Sequence, residues 1–562
     1  MRRIFLLSLG VAAVTWLEFS VFPGHTYLEG ETQFYLPMLE RLDAPGFLSR
    51  DLVATHPNFA YTIYDEVTLS LHEAAHLPFR TALAGQQLVS RGAAIIGVFL
   101  LAVAAGVDDV LALLVAALVN LGATLNAPAV VFADREPVPS AFAFGLMLLA
   151  AGLLAREKPL LAGLAGGLAL VYEASIVAPF WIVVLIAFLL DGRLRRLLRP
   201  ALTILIVFAL LLANLAQLQP GVVENRELLS KLSEPFAALQ QYRTPFVWIS
   251  LWPAGELWHY AAILVCGFWA TIRIWPALPR TIRWLLVALP ICGLLSVPLS
   301  DLLLDHLKWS LISVIQPARS LLYSVMFASI ACAIAGAKAA NSRNYMEAGL
   351  WFIPVAAIPM KVRMLDLLRI TGHDNRLQLA LAAIIAIVLV AFLRQLGHSR
   401  WKALVLLVPA GAAFAIPAAS DFGTVHETDR RSITAVADWA SANTWGSSMF
   451  LFPDAGREPY PGIFRGESLR ALWVDWESGM LVPYFESFAA QWWPRWEETM
   501  RDGFSPQQLD HTLSLPIDYY VLKGTHELPD VRAVFRNADF VVYDAADLRN
   551  ARARSRPASA SR

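Results

Sequence analysis

Charged residues are scarce in this chain. Only 16% of its 562 residues are Asp, Glu, Lys or Arg, against roughly a quarter in soluble globular domains. The 45 basic and 45 acidic residues give a formal net charge of +0, so no overall field would attract nucleic acid. The scarcity of charge excludes an ordinary soluble enzyme, and its balance argues against a nucleic-acid partner.

Cysteine is almost absent. Cys266, Cys292 and Cys332 are the only three, and each lies in an apolar run. So few thiols exclude a disulfide framework and a cysteine metal site. They are most simply interpreted as small buried hydrophobic residues.

Long apolar runs are what the chain has in abundance, since 57% of it is hydrophobic. A membrane-spanning helix needs about 20 mostly apolar residues. The runs recur from Ile4 almost to Ala419, and we predict an α-helical polytopic membrane domain over residues 1–423, with about thirteen transmembrane helices. The pair between Pro159 and Leu190 is the weakest, because 32 residues must supply two spans and a turn.

The charge of the loops predicts the orientation. Lys and Arg are more numerous in the loops that an inward N-terminus places inside, as the positive-inside rule requires. The chain starts with MRR, like a signal peptide, but Trp16, Glu18 and Phe19 stand where small residues would mark a cleavage site. We therefore predict a retained first helix in a plasma (inner) membrane, a cytoplasmic N-terminus and an extracytoplasmic C-terminal region.

That C-terminal region has the composition of a soluble domain. Alternating helix and strand patterns over residues 424–550 predict a small extracytoplasmic α/β domain, and residues 551–562, with four arginines, predict a disordered basic tail. Its cluster of tryptophans is typical of core or membrane-interface packing, although aromatic rings also stack on sugars; it comprises Trp473, Trp476, Trp492, Trp493 and Trp496.

The long first outer loop, residues 23–91, carries carboxylates beside the membrane. Glu29 and Glu31 follow the first helix directly, and Asp51 lies further on. Such groups can accept a proton from an attacking hydroxyl or bind a divalent cation such as Mg²⁺ or Mn²⁺. The alternative is a set of solvated loop carboxylates without a catalytic role.

The same loop contains the pattern H-E-x-x-H at His72-Glu73-Ala74-Ala75-His76. On a helix, two such histidines bind zinc and the glutamate acts as base. Pro78 would end the helix early, and no third ligand is apparent. His72 and His76 are therefore weak metal candidates, and the polar face of an interfacial helix is the alternative.

Other outward loops carry charge as well. Arg135 and Glu136 precede one predicted span, and Gln316 and Arg319 precede another. A basic cluster between the eleventh and twelfth predicted spans contradicts the positive-inside bias, and either snorkels to lipid headgroups or cradles a lipid phosphate; it comprises Lys361, Arg363, Arg369 and Arg376.

The arrangement resembles the GT-C superfamily of polytopic membrane glycosyltransferases, especially poorly characterised bacterial members with a long first outer loop and a C-terminal periplasmic α/β domain. The resemblance covers nearly the whole chain. It rests on short motifs in a matching order: Glu31-Thr32-Gln33-Phe34-Tyr35-Leu36-Pro37, Arg50-Asp51, Glu136 before Ala141-Phe142-Ala143-Phe144, Gln316-Pro317-Ala318-Arg319, Asp438-Trp439-Ala440, Asn443-Thr444, Phe464-Arg465 and Val474-Asp475-Trp476.

The resemblance implies transfer of a sugar from a polyprenyl-phosphate donor to an acceptor on the outer face of the membrane. Glu31 or Glu29 would activate the acceptor hydroxyl, with Asp51 as a second carboxylate. Arg319, helped by Arg363 and Arg369, would bind the lipid phosphate. The other candidate substrate-binding residues are Arg135, Glu136 and Gln316. The alternatives from other classes are a membrane zinc metallopeptidase using His72 and His76, and a non-catalytic binder or transporter of lipid-linked sugars.

Overall fold

A computed structural model describes residues 2–20, 24–56, 62–120, 124–125, 130–131, 134–219, 230–357, 427–501 and 503–555. Helices dominate, which confirms the predicted fold class. The helices up to residue 357 are α1 (Arg2–Ser20), α2 (Thr32–Asp43), α3 (Tyr64–Ala75), α4 (Phe79–Ala104), α5 (Asp109–Asn120), α6 (Pro139–Ala155), α7 (Pro159–Tyr172), α8 (Ala174–Leu190), α9 (Arg195–Leu218), α10 (Glu234–Arg243), α11 (Ala254–Ile274), α12 (Arg280–Ser300), α13 (Ser310–Ile315), α14 (Leu321–Asn341) and α15 (Tyr345–Ala357).

The chain is a multi-pass membrane protein. Among the described residues, six helical segments are long and apolar enough to cross a membrane, and α5, α6, α7 and α8 are shorter apolar helices. The predicted spans over residues 377–393 and 401–419 lie outside the described residues, so the total of about thirteen stays a prediction.

The two short helices predicted between Pro159 and Leu190 are present. Only Glu173 separates α7 from α8, and it is extended, with φ −156° and ψ 103°. One extended residue lets the chain reverse with almost no loop, which is how 32 residues supply both helices. The turn also directs Glu173 toward the outer loops.

The long outer loop is shorter than predicted, because α4 begins at Phe79 rather than near residue 92. The part of the helix before residue 92 contains the polar residues Gln87 and Arg91. Both side chains are satisfied inside the protein: Gln87 donates to the carbonyl oxygens of Asp134 and Arg135, and Arg91 donates to those of Glu18, Gly24 and Asp134. Buried polar groups are tolerated where such partners exist.

The C-terminal region forms the predicted small α/β domain. Its sheet has the strand order β4-β3-β5-β7-β6, with β3 parallel to β4 and β5, and β7 antiparallel to β5 and β6. A separate two-stranded ribbon, β1 (Thr124–Leu125) with β2 (Val130–Val131), joins α5 to α6. The domain's elements are α16 (Glu427–Asn443), β3 (Met449–Leu451), α17 (Tyr460–Ser468), β4 (Ala471–Leu472), α18 (Glu486–Thr499), α19 (Pro506–Thr512), β5 (Tyr519–Lys523), β6 (Phe535–Arg536), β7 (Phe540–Asp544) and α20 (Ala545–Ser555).

Two features of this domain differ from the prediction. The sequence pattern missed α17, whose Pro461, Gly462 and Gly466 are poor helix formers; tertiary burial of nearly all its residues stabilises it instead. The tail predicted to be disordered from residue 551 begins as the last turns of α20, which continue to Ser555. Residues 556–562 lie outside the described residues.

Candidate active site

Glu136 organises the turn that precedes α2. Its carboxylate accepts hydrogen bonds from the backbone N–H groups of Glu29 (2.6 Å), Gly30 (2.8 Å) and Thr32 (2.8 Å). A Cβ added at Gly30 would lie 3.2 Å from Glu136 Oε2, so the glycine permits the close approach of backbone and carboxylate. Burial raises the pKa of Glu136, and the N–H bonds from Thr32 and Glu29 oppose that rise. Both carboxylate oxygens of Glu136 therefore bond to the loop backbone, and its predicted role in substrate binding stays a prediction.

This turn places Glu31 at the N-terminus of α2. Glu31 lines a cavity of about 240 Å³, together with Asp134 from the loop before α6. Burial raises the pKa of Glu31 to about 8, an effect that the positive charge of Arg319 opposes and that Asp134, Glu173 and Glu136 reinforce. A carboxyl group poised near neutral pH is suited to proton transfer.

Arg319 lines the same cavity from the short 3₁₀ segment Pro317–Ser320 that leads into α14. Gln316, immediately before it, adopts a left-handed conformation with φ 51° and ψ 61°, which costs energy in a residue with a side chain. Pro317 disfavours continuing α13 through residue 316. After this break in the helix, Gln316 and Arg319 both line the cavity.

Glu173 holds the guanidinium group of Arg319. Arg319 Nη1 donates to Glu173 Oε1 over 3.1 Å, and Ser175 Oγ donates to the same oxygen over 2.9 Å. The pair is partly buried, with 34% and 16% of the two side chains exposed. The turn between α7 and α8 therefore orients the cation that faces the cavity.

The C-terminal domain contributes to the cavity wall through Met480 and Tyr484. Burial raises the pKa of the Tyr484 hydroxyl, and the nearby charge of Arg319 opposes the rise. The phenol therefore stays protonated near neutral pH and can donate a hydrogen bond. The membrane domain and the C-terminal domain therefore both line the cavity.

Asp51 joins the outer loop to this domain. It is completely buried, and it accepts from the N–H groups of Val53 (2.9 Å), Ala54 (3.1 Å) and, across the domain boundary, Leu472 (3.0 Å). Burial raises its pKa, and the charge of Arg465 opposes that rise. Asp51 does not line the cavity, and its role as a second catalytic carboxylate stays a prediction.

Arg465 of α17 completes the junction. It donates to Asp475 Oδ2 over 2.6 Å and to the carbonyl oxygen of Gln33 over 2.7 Å. Gln33 in turn donates to the carbonyl oxygen of Pro459 over 3.0 Å. Since Gln33 belongs to the first turns of α2, these bonds position the helix whose N-terminus carries Glu31.

Two other predicted residues lie outside the cavity. The Glu29 carboxylate faces Arg430 of the C-terminal domain, with 3.9 Å between Glu29 Oε1 and Arg430 Nη1, so of the two loop glutamates only Glu31 lines the cavity. Arg135 contributes its carbonyl oxygen to Thr26 and Gln87, and its side chain is not among the cavity's lining groups. Arg363 and Arg369 fall in residues 358–426, outside the described residues.

Sequence reasoning did not select Asp134, Glu173 or Tyr484 as site residues. Asp134 stands beside the quoted residues Arg135 and Glu136, and its charge next to a predicted span was the available signal. No sequence signal marked Tyr484, because only tertiary packing brings it to the membrane domain.

The H-E-x-x-H pattern does not form a zinc site in the described structure. Helix α3 ends at Ala75, and His76 is its left-handed cap, with φ 51°. His72 Nδ1 bonds to the carbonyl oxygen of Leu77 over 2.7 Å, and its ring stacks on Phe79. Within the described ranges no group of three or more His, Cys, Asp or Glu residues could hold a metal ion.

An apolar groove of about 880 Å³ adjoins the cavity. It runs between α8 and α12, and Pro317 lines both spaces. Ser175, which bonds to Glu173, lies at the cavity end, whereas Arg280 and Arg283 lie at the other. The groove thus follows the length of two predicted transmembrane helices and ends beside Arg319.

Comparisons with known proteins find only distant structural matches. No protein-family model and no curated protein matches the chain. Among solved structures, ArnT from Cupriavidus metallidurans in the apo state matches at a TM-score of 0.47 and 14% identity, over 96% of this chain and 97% of that chain. Arabinofuranosyltransferase AftD from Mycobacteria matches at 0.45 and 13%, over 97% of this chain and 40% of that chain. Structural similarity of this degree supports no conclusion about the chemistry. The chemistry is inferred from the residues that line the cavity.

Proposed function

We propose that the protein is a membrane glycosyltransferase that moves a sugar from a polyprenyl-phosphate donor to an acceptor on the outer face of the membrane. The observation that carries the proposal is the cavity itself. Glu31 and Asp134 line it together with Arg319, and at Pro317 it opens beside an apolar groove between α8 and α12. The groove would hold the apolar chain of the donor, Arg319 would bind its phosphate, and Glu31 would face the reacting hydroxyl.

In the proposed reaction, Glu31 accepts the proton of the acceptor hydroxyl as its oxygen bonds to the anomeric carbon of the sugar. The bond between that carbon and the phosphate oxygen breaks, and its electron pair leaves with the lipid phosphate. Arg319, oriented by Glu173, stabilises the negative charge of the leaving group through charge-assisted hydrogen bonds. Gln316 and Tyr484 also line the cavity and would form hydrogen bonds to the sugar.

A divalent cation is a further proposal. Asp134 is the cavity carboxylate that would bind it, and Glu31 would remain the base. Mg²⁺ is commonly held by one or two carboxylates together with water and substrate phosphate oxygens, so this donor set fits such an ion. When bound, the ion would neutralise charge on the phosphate.

The test is transfer activity in proteoliposomes that contain the purified chain and polyprenyl-phosphate sugars. We expect Glu31→Gln to lower kcat by about a hundredfold or more, since general base catalysis contributes about 10² to 10⁴. The matched control is Glu29→Gln, two residues away and outside the cavity, which should stay within about threefold of the wild type. Equal activity of the two variants would refute the role of Glu31.

The non-catalytic alternative predicts a different result. A binder or transporter would retain the lipid-linked sugar without turnover, and Arg319→Gln would lower binding while no product formed in any variant. Product formed by the wild type excludes this alternative.

A further inference from the structure

A second groove lies on the outer side of the molecule. It has a volume of about 540 Å³ and lies between α10 of the membrane domain and α18 of the C-terminal domain. Tyr242 and Trp493 supply its aromatic surface, Glu486 and Arg501 supply its charge, and Ala490 is one of several small residues that leave it open. None of these residues lines the active-site cavity.

The two aromatic rings form a corner. The ring centroids of Tyr242 and Trp493 are 5.4 Å apart and their planes are inclined at 74°. Tyr242 is 38% exposed, and Trp493 is half-buried. Aromatic faces carry partial negative charge, which attracts the weakly positive C–H groups on the face of a sugar ring. The faces of Tyr242 and Trp493, set at a steep angle, can contact two successive sugar rings or two sides of one sugar ring.

Polar groups surround this corner. Glu486 and Arg501 are exposed, and they offer an acceptor and several donors of hydrogen bonds. Arg501 also lies over the Trp493 ring, with its guanidinium carbon 5.4 Å from the centroid. A mostly apolar surface with a few convergent polar groups is typical of a binding site for a small molecule. A sugar ring matches this pattern, because its hydroxyl groups surround a face made of C–H groups.

Two short segments separate the groove from the active-site cavity. Tyr242 lines the groove and Thr244 lines the cavity, while Glu486 lines the groove and Tyr484 lines the cavity. Arg243 ties the first segment to the C-terminal domain, because it donates to the carbonyl oxygen of Trp476 over 2.8 Å. A chain of linked sugars bound in the groove would therefore lie within a few residues of the reacting centre.

We propose that the groove between α10 and α18 is a binding subsite for an acceptor saccharide. This inference rests on the proposed glycosyltransferase function and names the class of acceptor: a carbohydrate of two or more rings, held by Tyr242 and Trp493. Residues of both charge signs beside the rings favour a hydroxyl-rich ligand over a lipid tail. A phospholipid from the surrounding membrane is the competing occupant, and the test distinguishes the two.

The experiment measures binding of the purified full chain, in nanodiscs, to an array of neutral and acidic oligosaccharides. We expect the wild type to bind a subset of them and Trp493→Ala to bind the same subset at least tenfold more weakly. Trp493→Phe should restore most of the affinity, because it keeps an aromatic face. The matched control is Trp445→Ala, since Trp445 is 83% exposed and does not line the groove.

Three results would overturn the proposal: no oligosaccharide bound by the wild type, equal loss in Trp493→Ala and Trp445→Ala, or quenching of Trp493 emission by brominated phospholipid in the nanodisc. Glu31→Gln separates this inference from the proposed function. If it abolishes transfer but keeps oligosaccharide binding, both stand. If the wild type binds oligosaccharide through Trp493 yet transfers no sugar, the subsite stands and the proposed reaction fails.

Discussion

Arg319 and Glu173 form an ion pair at the outer cavity, with 3.1 Å between Nη1 and Oε1. The two residues are 146 positions apart, and each comes from a break between helices: Glu173 between α7 and α8, Arg319 between α13 and α14. The breaks leave a charged residue between helices, and the pairing holds the guanidinium group of Arg319 at the cavity.

The pair predicts a positioning role for Glu173. In Glu173→Gln, Arg319 keeps a hydrogen-bond acceptor but loses the opposite charge, so we expect the KM for the lipid donor to rise about tenfold, or about 1.4 kcal/mol, with a smaller change in kcat. Steady-state kinetics in proteoliposomes measures the two separately. Glu157→Gln, at an exposed glutamate in the turn between α6 and α7, is the control. A fall in kcat at constant KM would contradict a positioning role.

The raised pKa of Glu31 predicts how activity depends on pH. A general base must be ionised, and with a pKa of about 8 only about a tenth of the molecules carry the charge at pH 7. We expect kcat/KM to rise with pH and level off above about pH 8. Glu29→Gln should keep the same profile. A profile that is flat from about pH 6 to pH 9 would contradict the assignment of Glu31 as the base.

Glu136 is expected to matter for stability and, through the loop, for activity. In Glu136→Gln, the amide NH₂ group would face one of the three backbone N–H donors, which leaves a buried donor unsatisfied and costs about 1–3 kcal/mol. We expect a lower thermal midpoint in detergent and faster proteolysis of the first outer loop. Glu498→Gln, on an exposed face of α18, should leave both unchanged. If Glu136→Gln altered only substrate affinity, that result would favour a role for Glu136 in substrate binding.

Asp51 and Glu31 should give opposite phenotypes. Asp51→Asn places an NH₂ group against the donors that Asp51 now accepts from, so we expect a lower thermal midpoint but nearly normal kcat per folded molecule. Glu31→Gln should lose kcat and keep the midpoint. Thermal unfolding and active-fraction titration of the two variants test this. Loss of kcat without loss of stability in Asp51→Asn would make Asp51 catalytic after all.

The structure around the H-E-x-x-H pattern predicts that the protein has no zinc chemistry. Because His72 is bonded to Leu77 and His76 caps α3, we expect substoichiometric zinc in the purified protein and normal transfer by His76→Ala. Elemental analysis and the transfer assay check both. Chelation by EDTA should leave the fold intact, and restoration of activity by Mg²⁺ or Mn²⁺ after chelation would support the proposed cation. Stoichiometric zinc lost on His76→Ala would favour the metallopeptidase.

The sequence by itself determined the elements that depend on local pattern. Apolar run length fixed most of the helices, because a helix in lipid has to satisfy its own backbone, and strand and turn patterns located β3, β5 and β7. The same local reasoning marked Glu29, Glu31 and Asp51 as carboxylates that could act beside the membrane. The choice of Glu31 or Glu29 as the base, and of Arg319 as the phosphate ligand, came from the resemblance to the GT-C superfamily.

Only the tertiary structure decided which of these residues meet. Glu29 and Glu31 are indistinguishable in sequence, but the three N–H bonds to Glu136 set a turn in which Glu31 alone lines the cavity. Asp51 resembles a catalytic carboxylate until the backbone N–H that donates to it, that of Leu472, 421 residues away, is known. Contacts between residues so distant along the chain depend on packing and on backbone amides, which no local pattern encodes.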